Sequence, residues 1–123
     1  MAAKRTITHP KHGEVYLVNF DPTIGAEIKK TRPALVLQND VSNEYSPITI
    51  VAAITSQFDD TLYPTEVLIE PPEGGMTINS VILLNQIRSI DRQRLLRRLG
   101  ELTAVTMERV NQAIQVSLGL IEI

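Results

Sequence analysis

The stretch ITIVAAIT, residues 48–55, predicts a strand at the centre of a sheet. It is almost entirely apolar, which is typical of a strand buried on both faces. It ends in a threonine, Thr55. Ser46-Pro47 precedes it and the polar segment 56–64 follows it, so turn chemistry bounds it on both sides. We therefore expect neighbouring strands on either side of it.

Short runs rich in β-branched and apolar residues supply those neighbours. Pro33 fits badly inside a strand, so we expect the second strand to begin after it. Residues 39–43 are interpreted as a loop, and Asn85-Gln86 is interpreted as a break between two strands. The predicted strands are 14–20, 34–38, 66–70, 80–84 and 87–90.

The apolar period changes from two to between three and four after residue 90. Residues 91–99 are predicted to form a short helix, with Asp91 as its cap and Gly100 at its end. Thr103 is predicted to cap a longer helix whose apolar positions are Met107, Val110, Ile114 and Leu118. The predicted fold class is therefore mainly β with a C-terminal helix, in the form of a small twisted barrel or sheet.

The length and composition indicate one domain over residues 1–123, in which residues 1–11 form a mobile N-terminal arm. The chain has no cysteine, which excludes disulfides and thiolate zinc sites and fits a reducing cytoplasm. Its apolar runs are too short to span a membrane, and its N-terminus has no signal-peptide pattern. We expect neither a metal nor another cofactor.

The net charge of −2 hides an uneven distribution of cations. Six lysines and arginines occur up to Arg32, six arginines occur after Gln86, and none lies between those two positions. If folding joins the two basic blocks, one face of the protein is positive. The alternative, a solvated mixture of surface charges, stays open at this point.

Arg32 lies where a charged segment, residues 25–31, meets a core strand. A guanidinium at such a junction can grip a phosphate through two parallel hydrogen bonds, and Lys29 and Lys30 would add point charges beside it. Glu27 could orient the guanidinium or accept a proton. The alternative is a charged hairpin loop with an incidental Glu27–Arg32 pair, which would contribute little to stability.

Three other positions have both a functional and a structural interpretation. The Thr55 hydroxyl emerges from the core at a strand end, where it can meet a ligand or bond local backbone. Gln86 interrupts an apolar stretch, where its amide can recognise a base edge or satisfy an edge strand. His9 and His12 could supply an acid and a base for phosphodiester cleavage, although they lie in or beside the polar arm.

Taken together, the motifs of this chain resemble the MazF/PemK family of toxin endoribonucleases from toxin–antitoxin systems. The match runs in order from His12 to the C-terminus. The motifs are GEVY (13–16), DP (21–22), G-x-E (25–27), TRPALV (31–36), ND (39–40), AIT (53–55), VILLNQIRSID (81–91) and RL (94–95), followed by the final helix.

The resemblance implies a homodimer of SH3-like β-barrels of the MazF/CcdB type. It implies sequence-specific cleavage of single-stranded RNA without a metal, leaving a 2′,3′-cyclic phosphate and a 5′-hydroxyl and inhibiting translation and growth. Carried over by motif, Arg32 and Thr55 are the catalytic pair and the ribose 2′-hydroxyl is the nucleophile. Glu27 occupies the position of the family's loop glutamate, as a candidate base or orienter.

The resemblance also implies an RNA groove and an antitoxin whose acidic tail occupies that groove. The candidate substrate-binding residues are Lys29, Lys30, Gln86, Arg88, Phe58 and Tyr63. Phe58 and Tyr63 would stack on bases or, alternatively, pack within their loop. Ala26 and the lysines depart from the family's loop pattern, so we expect a different recognised sequence with activity retained.

Two other functions remain as alternatives. A CcdB-like gyrase poison would share the barrel, but that activity is associated with an aromatic C-terminal end, and this chain has no tryptophan. A catalytically dead barrel that binds RNA or a peptide would use Arg32 for binding alone.

Overall fold

The computed structural model describes residues 9–27 and 30–122. In this part of the chain neither α-helix is long and apolar enough to cross a membrane. The described residues form six strands, β1 Glu14–Asn19, β2 Thr31–Val36, β3 Ile48–Thr55, β4 Glu66–Ile69, β5 Ser80–Asp91 and β6 Leu95–Glu101, with helices α1 Asp40–Tyr45 and α2 Ala104–Ser117 and two single 3-10 turns, Glu73–Gly75 and Arg92–Arg94. The predicted fold class, mainly β with a C-terminal helix, is confirmed.

The strands form one antiparallel sheet in the order β4-β5-β3-β2-β1-β6. The strand β3 lies inside the sheet between β2 and β5, with the bounds that its sequence predicted. Its alternate residues enter two apolar clusters: Ala52 and Ile54 join one, and Val51 and Ala53 join the other. Both faces of β3 are therefore buried, which explains its nearly continuous apolar sequence.

The larger apolar cluster lies between the sheet and α2. Val110 and Ala113 of the helix are buried there, and Met107 and Ile114 pack against the same cluster. Leu118, by contrast, lies beyond the end of the helix and is 59% exposed. The helical spacing thus predicted the buried face correctly except at its last position.

No strand pairing joins the edge strands β4 and β6 among the residues that the structure describes. The 3-10 turn Glu73–Gly75, which follows β4, packs against β6 instead. A Cβ on Gly75 would lie 2.1 Å from the Leu99 carbonyl oxygen, and one on Gly100 would lie 2.7 Å from the Gly74 carbonyl carbon. This close contact, possible only without side chains, gives the open sheet its barrel-like shape.

The predicted helix at residues 91–99 is wrong. The Asp91 carboxylate does cap, accepting the Gln93 N–H at 2.8 Å, but only a single 3-10 turn follows. The chain then continues as β6, which pairs with the free edge of β1. Sheet pairing outweighed local helix propensity here, and Gly100 serves the close contact with the turn at Gly74 rather than a helix end.

Three smaller differences concern element boundaries. The strand β2 begins at Thr31 and includes Pro33, which is tolerated because residues 31–33 pair with β1 only. The predicted break at Asn85-Gln86 is a bulge inside one strand, since Ala52 pairs with Ile87 but Ile54 pairs with Ile82. Residues 40–45, partly predicted as loop, form α1, whose cap Asn39 accepts the Ser42 N–H at 2.8 Å.

Glu73 stabilises the start of α2. Its carboxylate accepts the Thr103 N–H at 3.0 Å and the Thr103 hydroxyl at 3.1 Å, while Thr103 itself caps the helix as predicted. Burial opposes ionisation, but hydrogen bonds from Thr103 and Thr106 and the charge of Arg109 prevail and lower the pKa of Glu73 below its ordinary 4.5. Because the folded-state pKa is lowered, this stabilisation is present above pH 4.5 and is lost as the pH falls through the folded-state pKa.

We therefore expect Glu73→Gln to lower the free energy of unfolding at pH 7 by about 1 kcal/mol. The difference from the unsubstituted protein should shrink as the pH falls below 4.5. Urea unfolding across this pH range measures both effects, and the exposed neighbour Glu70→Gln is the matched control. A difference that is independent of pH would contradict this role of the carboxylate.

Candidate active site

Arg32 and Thr55 lie side by side at the ends of neighbouring strands. The last residue pair recorded between β2 and β3 at this end is Ala34–Ala53. Arg32 and Thr55 each lie two residues beyond that pair, and side chains two residues apart on a strand share a face. The sheet therefore brings the predicted catalytic pair together on one face.

Both residues line a cleft of about 300 Å³. Arg97 of β6, which the sequence analysis did not select, lines the same cleft. Much of the remaining polar lining consists of hydroxyl side chains, which besides Thr55 are those of Ser56, Thr77 and Ser80. No carboxylate is present among the described residues that line the cleft. Two guanidinium residues in a cleft whose described lining has no carboxylate favour the binding of an anion.

The hydroxyl of Thr55 is oriented by backbone. Its oxygen accepts the Gln57 N–H at 3.0 Å, and it lies 3.5 Å from the Gln57 carbonyl oxygen. The structural interpretation of this threonine, a hydroxyl bonded to local backbone, is thus observed. A contact of 3.5 Å is at the outer limit of a hydrogen bond, so the hydroxyl proton can turn to a better acceptor in the cleft.

Glu27 lies outside this cleft. Its carboxylate accepts the Ile24 N–H at 2.6 Å and so caps the turn of its own loop. It lines a second groove, of about 370 Å³, together with Gln86 and Arg88. The candidate base is therefore in the groove beside the loop, and its role as base or orienter stays a prediction.

Gln86 and Arg88 line this second groove and contact the loop between β1 and β2. Gln86 Nε2 lies 3.5 Å from the Ala26 carbonyl oxygen, where the bulge in β5 carries it toward the loop. Arg88 Nη1 donates to the Phe20 carbonyl oxygen at 3.1 Å, and its guanidinium lies 5.6 Å from the centre of the Phe20 ring. Arg88 thus supports the base of the loop, and contact of either residue with substrate stays a prediction.

The loop between β1 and β2 is closed at its base by two hydrogen bonds of the Lys30 backbone. The Phe20 N–H donates to the Lys30 carbonyl oxygen at 2.9 Å, and the Lys30 N–H donates to the Asp21 carboxylate at 2.9 Å. Lys30 is exposed and has a left-handed backbone, with φ of 65°. Lys29, the other predicted cation of the loop, lies outside the described residues.

The predicted stacking residues line a third groove, of about 400 Å³. Phe58 is 38% exposed and Tyr63 is 67% exposed. The groove begins at Gln57, directly after Thr55 and Ser56 of the cleft. Tyr63 has more free ring surface for a base, and stacking by either residue stays a prediction.

Folding brings Arg32, from the first basic block of the sequence, into the same sheet as the second basic block. The strand β6, which begins after Arg94, pairs with β1, and β1 pairs with β2, which bears Arg32. Arg94 donates to the carbonyl oxygens of Asn19, at 3.0 Å, and Asp21. Arg97 was not predicted as a site residue because residues 91–99 resemble a helix in sequence, whereas strand alternation would have separated Arg97 from Arg98.

His9 and His12 do not join the cleft. His12 Nδ1 lies 3.0 Å from the Leu37 carbonyl oxygen, and His9 Nδ1 lies 3.3 Å from Arg92 Nη2. Their role as an acid–base pair therefore has no support from their positions. Within residues 9–27 and 30–122 no group of three or more side chains is arranged to hold a metal ion.

The fold and the cleft define a small, mainly β protein with a cleft lined by two arginines and several hydroxyl side chains. Residues 11–118 match the family described as the PemK-like, MazF-like toxins of type II toxin–antitoxin systems. The chain belongs to this family, as its motifs predicted.

Individual relatives agree with this assignment. The chain is 46% identical to the endoribonuclease EndoA of Bacillus subtilis over 112 residues, which cover 91% of this chain and 97% of EndoA. A crystal structure of MazF from Deinococcus radiodurans superposes with a TM-score of 0.79 at 29% identity, covering 92% of this chain and 99% of that one. A MazE–MazF structure from the same organism gives 0.74 at 30% identity, covering 94% and 100%. The predicted barrel type and enzyme class, an endoribonuclease, are confirmed.

Proposed function

We propose that this chain is a sequence-specific toxin that cleaves single-stranded RNA without a metal and thereby inhibits translation and growth. The observation that carries the proposal is the cleft in which Arg32 and Thr55 lie together with no described acidic side chain. Such a site attracts a phosphodiester, whereas it offers no carboxylate to bind a divalent cation. Membership of a toxin family with endoribonuclease relatives supports the same function.

The proposed reaction is an internal transesterification. The ribose 2′-oxygen attacks the adjacent phosphorus as its proton leaves, the bond from phosphorus to the 5′-oxygen breaks, and that oxygen takes up a proton. The products are a 2′,3′-cyclic phosphate and a 5′-hydroxyl. Arg32 would hold two non-bridging oxygens through its fork, and the Thr55 hydroxyl would donate to the same phosphate, so both stabilise the charge that builds in the transition state.

The partners of the proposed toxin are a second copy of the chain and a cognate antitoxin. The family description names a toxin–antitoxin system, and one structural neighbour is a MazE–MazF structure. An acidic antitoxin tail would suit the arginine-rich cleft, because it presents the same charge as RNA. We propose a homodimer that acts in the cytoplasm.

Incubation of the purified protein with a long mixed-sequence RNA in excess EDTA tests this function. We expect discrete cuts that bear 5′-hydroxyl ends, with no cuts in DNA of the same sequence because DNA has no 2′-hydroxyl. Uncut RNA with a folded, antitoxin-free protein would refute the proposed nuclease. Binding without cleavage would then favour a catalytically dead barrel, and the absence of both would favour a gyrase poison.

A further inference from the structure

Arg97 lines the same cleft as the proposed catalytic pair. Leu17 of β1 pairs with Pro33 on one side and with Arg97 on the other, so Arg97 lies across β1 from the residue next to Arg32. Arg97 and Leu99, two residues apart on β6, both line the cleft. A bulge in the pairing of β1 with β6 lies directly beside Arg97, a device that redirects a side chain next to a site.

The guanidinium of Arg97 is not used by the fold. The side chain is exposed, and no hydrogen bond or ion pair involves it among the residues that the structure describes. Its neighbour Arg98 points to the opposite face, where it donates to Glu14 at 2.6 Å and lies 3.7 Å from Glu101. Of these two adjacent arginines, one is therefore neutralised and the other is left to face the cleft.

The distance between the two arginines that line the cleft determines which phosphate each guanidinium can contact. The strand β1 lies between β2 and β6, so the backbones at Pro33 and Arg97 are two interstrand spacings apart, about 10 Å. A phosphate held at the β2 wall by Arg32 and Thr55 leaves the guanidinium of Arg97, at the opposite wall, for a different phosphate. Single-stranded RNA presents such a group at every nucleotide.

We propose that Arg97 binds an RNA phosphate next to the one that reacts, so that the cleft grips two consecutive phosphates. This inference rests on the proposed function. In this role Arg97 fixes the position of the strand and contributes to affinity, whereas Arg32 and Thr55 act on the reacting group. Contacts to phosphate fix register without reading sequence, so Arg97 should strengthen binding to any RNA sequence.

Binding of an RNA oligonucleotide at several salt concentrations tests the proposal. The oligonucleotide contains a mapped cleavage site with a 2′-deoxy substitution at the attacked ribose, so that it binds without being cut. We expect Arg97→Ala to raise Kd about tenfold near 0.1 M salt and to reduce the slope of log K against log salt by about 0.7, the loss of one single-strand phosphate contact. The single-turnover cleavage rate of unmodified RNA at saturating enzyme should change by less than about threefold.

Two further variants make the result specific. Arg98→Ala removes the same charge one residue away on the other face and should leave the salt slope unchanged. Arg97→Lys keeps the charge and should restore most of the slope that Arg97→Ala loses. An unchanged Kd and slope in Arg97→Ala would overturn the proposal, and so would an unchanged Kd with a collapsed cleavage rate, which would place Arg97 on the reacting phosphate.

A failure of the proposed nuclease is distinguishable from a failure of this inference. If the unsubstituted protein cuts no RNA, the same salt titration with a mixed-sequence DNA oligonucleotide still measures the phosphate contact of Arg97. A slope that is identical in the unsubstituted protein and Arg97→Ala would refute the contact there as well.

Discussion

Replacement of Arg32 by alanine is expected to lower the single-turnover rate of RNA cleavage by about 10³-fold, with the fold retained. Arg32 lies at the end of β2, on the face that it shares with Thr55, in a cleft without a described carboxylate. In the proposed reaction, the guanidinium therefore supplies much of the positive charge that meets the developing negative charge on the phosphate. Its loss should act on the rate of the chemical step at saturating enzyme and not on binding alone.

Arg32→Lys and Arg109→Ala complete this experiment. Arg32→Lys keeps the charge but loses the planar fork, so its rate should lie between those of the unsubstituted protein and Arg32→Ala. Arg109 lies on α2, where it donates to the Leu68 carbonyl oxygen at 3.4 Å, outside the cleft, so Arg109→Ala should cleave normally. Thermal unfolding of each variant checks the fold, and a folded Arg32→Ala with a rate within tenfold of normal would refute the assigned role.

Gly75→Ala is expected to lower the free energy of unfolding by about 3 kcal/mol or more. Its Cβ would lie 2.1 Å from the Leu99 carbonyl oxygen, and backbone cannot move aside as a flexible side chain can. The residue also has φ of 76°, where a side chain is strained. Both effects destabilise the contact between the 3-10 turn and β6. Gly75 and Leu99 also line the cleft, so we expect the cleft to be distorted as well.

Gly119→Ala is the matched control for this prediction. Gly119 has φ of 72°, close to that of Gly75, but a Cβ there would have nothing within 4 Å. Urea unfolding of the two variants therefore separates backbone strain from steric overlap, and we expect only about 1 kcal/mol from Gly119→Ala. Equal destabilisation by the two substitutions would show that the close contact at Gly75 contributes nothing.

The sequence predicted best those elements in which local pattern and tertiary burial agree. The strand β3 is apolar on both faces and is buried on both, and α2 has a cap and a helical apolar period. The strand β6 was missed because its capping Asp91, its long run of leucines and arginines and its Gly100 are equally compatible with a helix. What makes it a strand is the free edge of β1, a distant feature that no local pattern reports.

The candidate site was predictable to the extent that it lies on correctly predicted strands. Arg32 and Thr55 follow from strand ends and motif, and the sheet places them together. Glu27 could not be placed, because the hydrogen bond between its carboxylate and the Ile24 N–H depends on the conformation of the loop. Arg97 could not be found while β6 was interpreted as a helix, because only strand alternation turns it toward the cleft and Arg98 away from it.

The closed base of the loop between β1 and β2 has a consequence for how such toxins can diversify. The base of the loop is fixed by the Phe20–Lys30 and Asp21–Lys30 hydrogen bonds and by the contacts of Arg94 with backbone. A change of conformation in the loop is therefore not transmitted to the sheet. Substitutions at the tip of this loop can therefore accumulate without moving the strand end that bears Arg32. In the proposed nuclease, mutation can in this way change the recognised RNA sequence while the reaction chemistry is inherited unchanged.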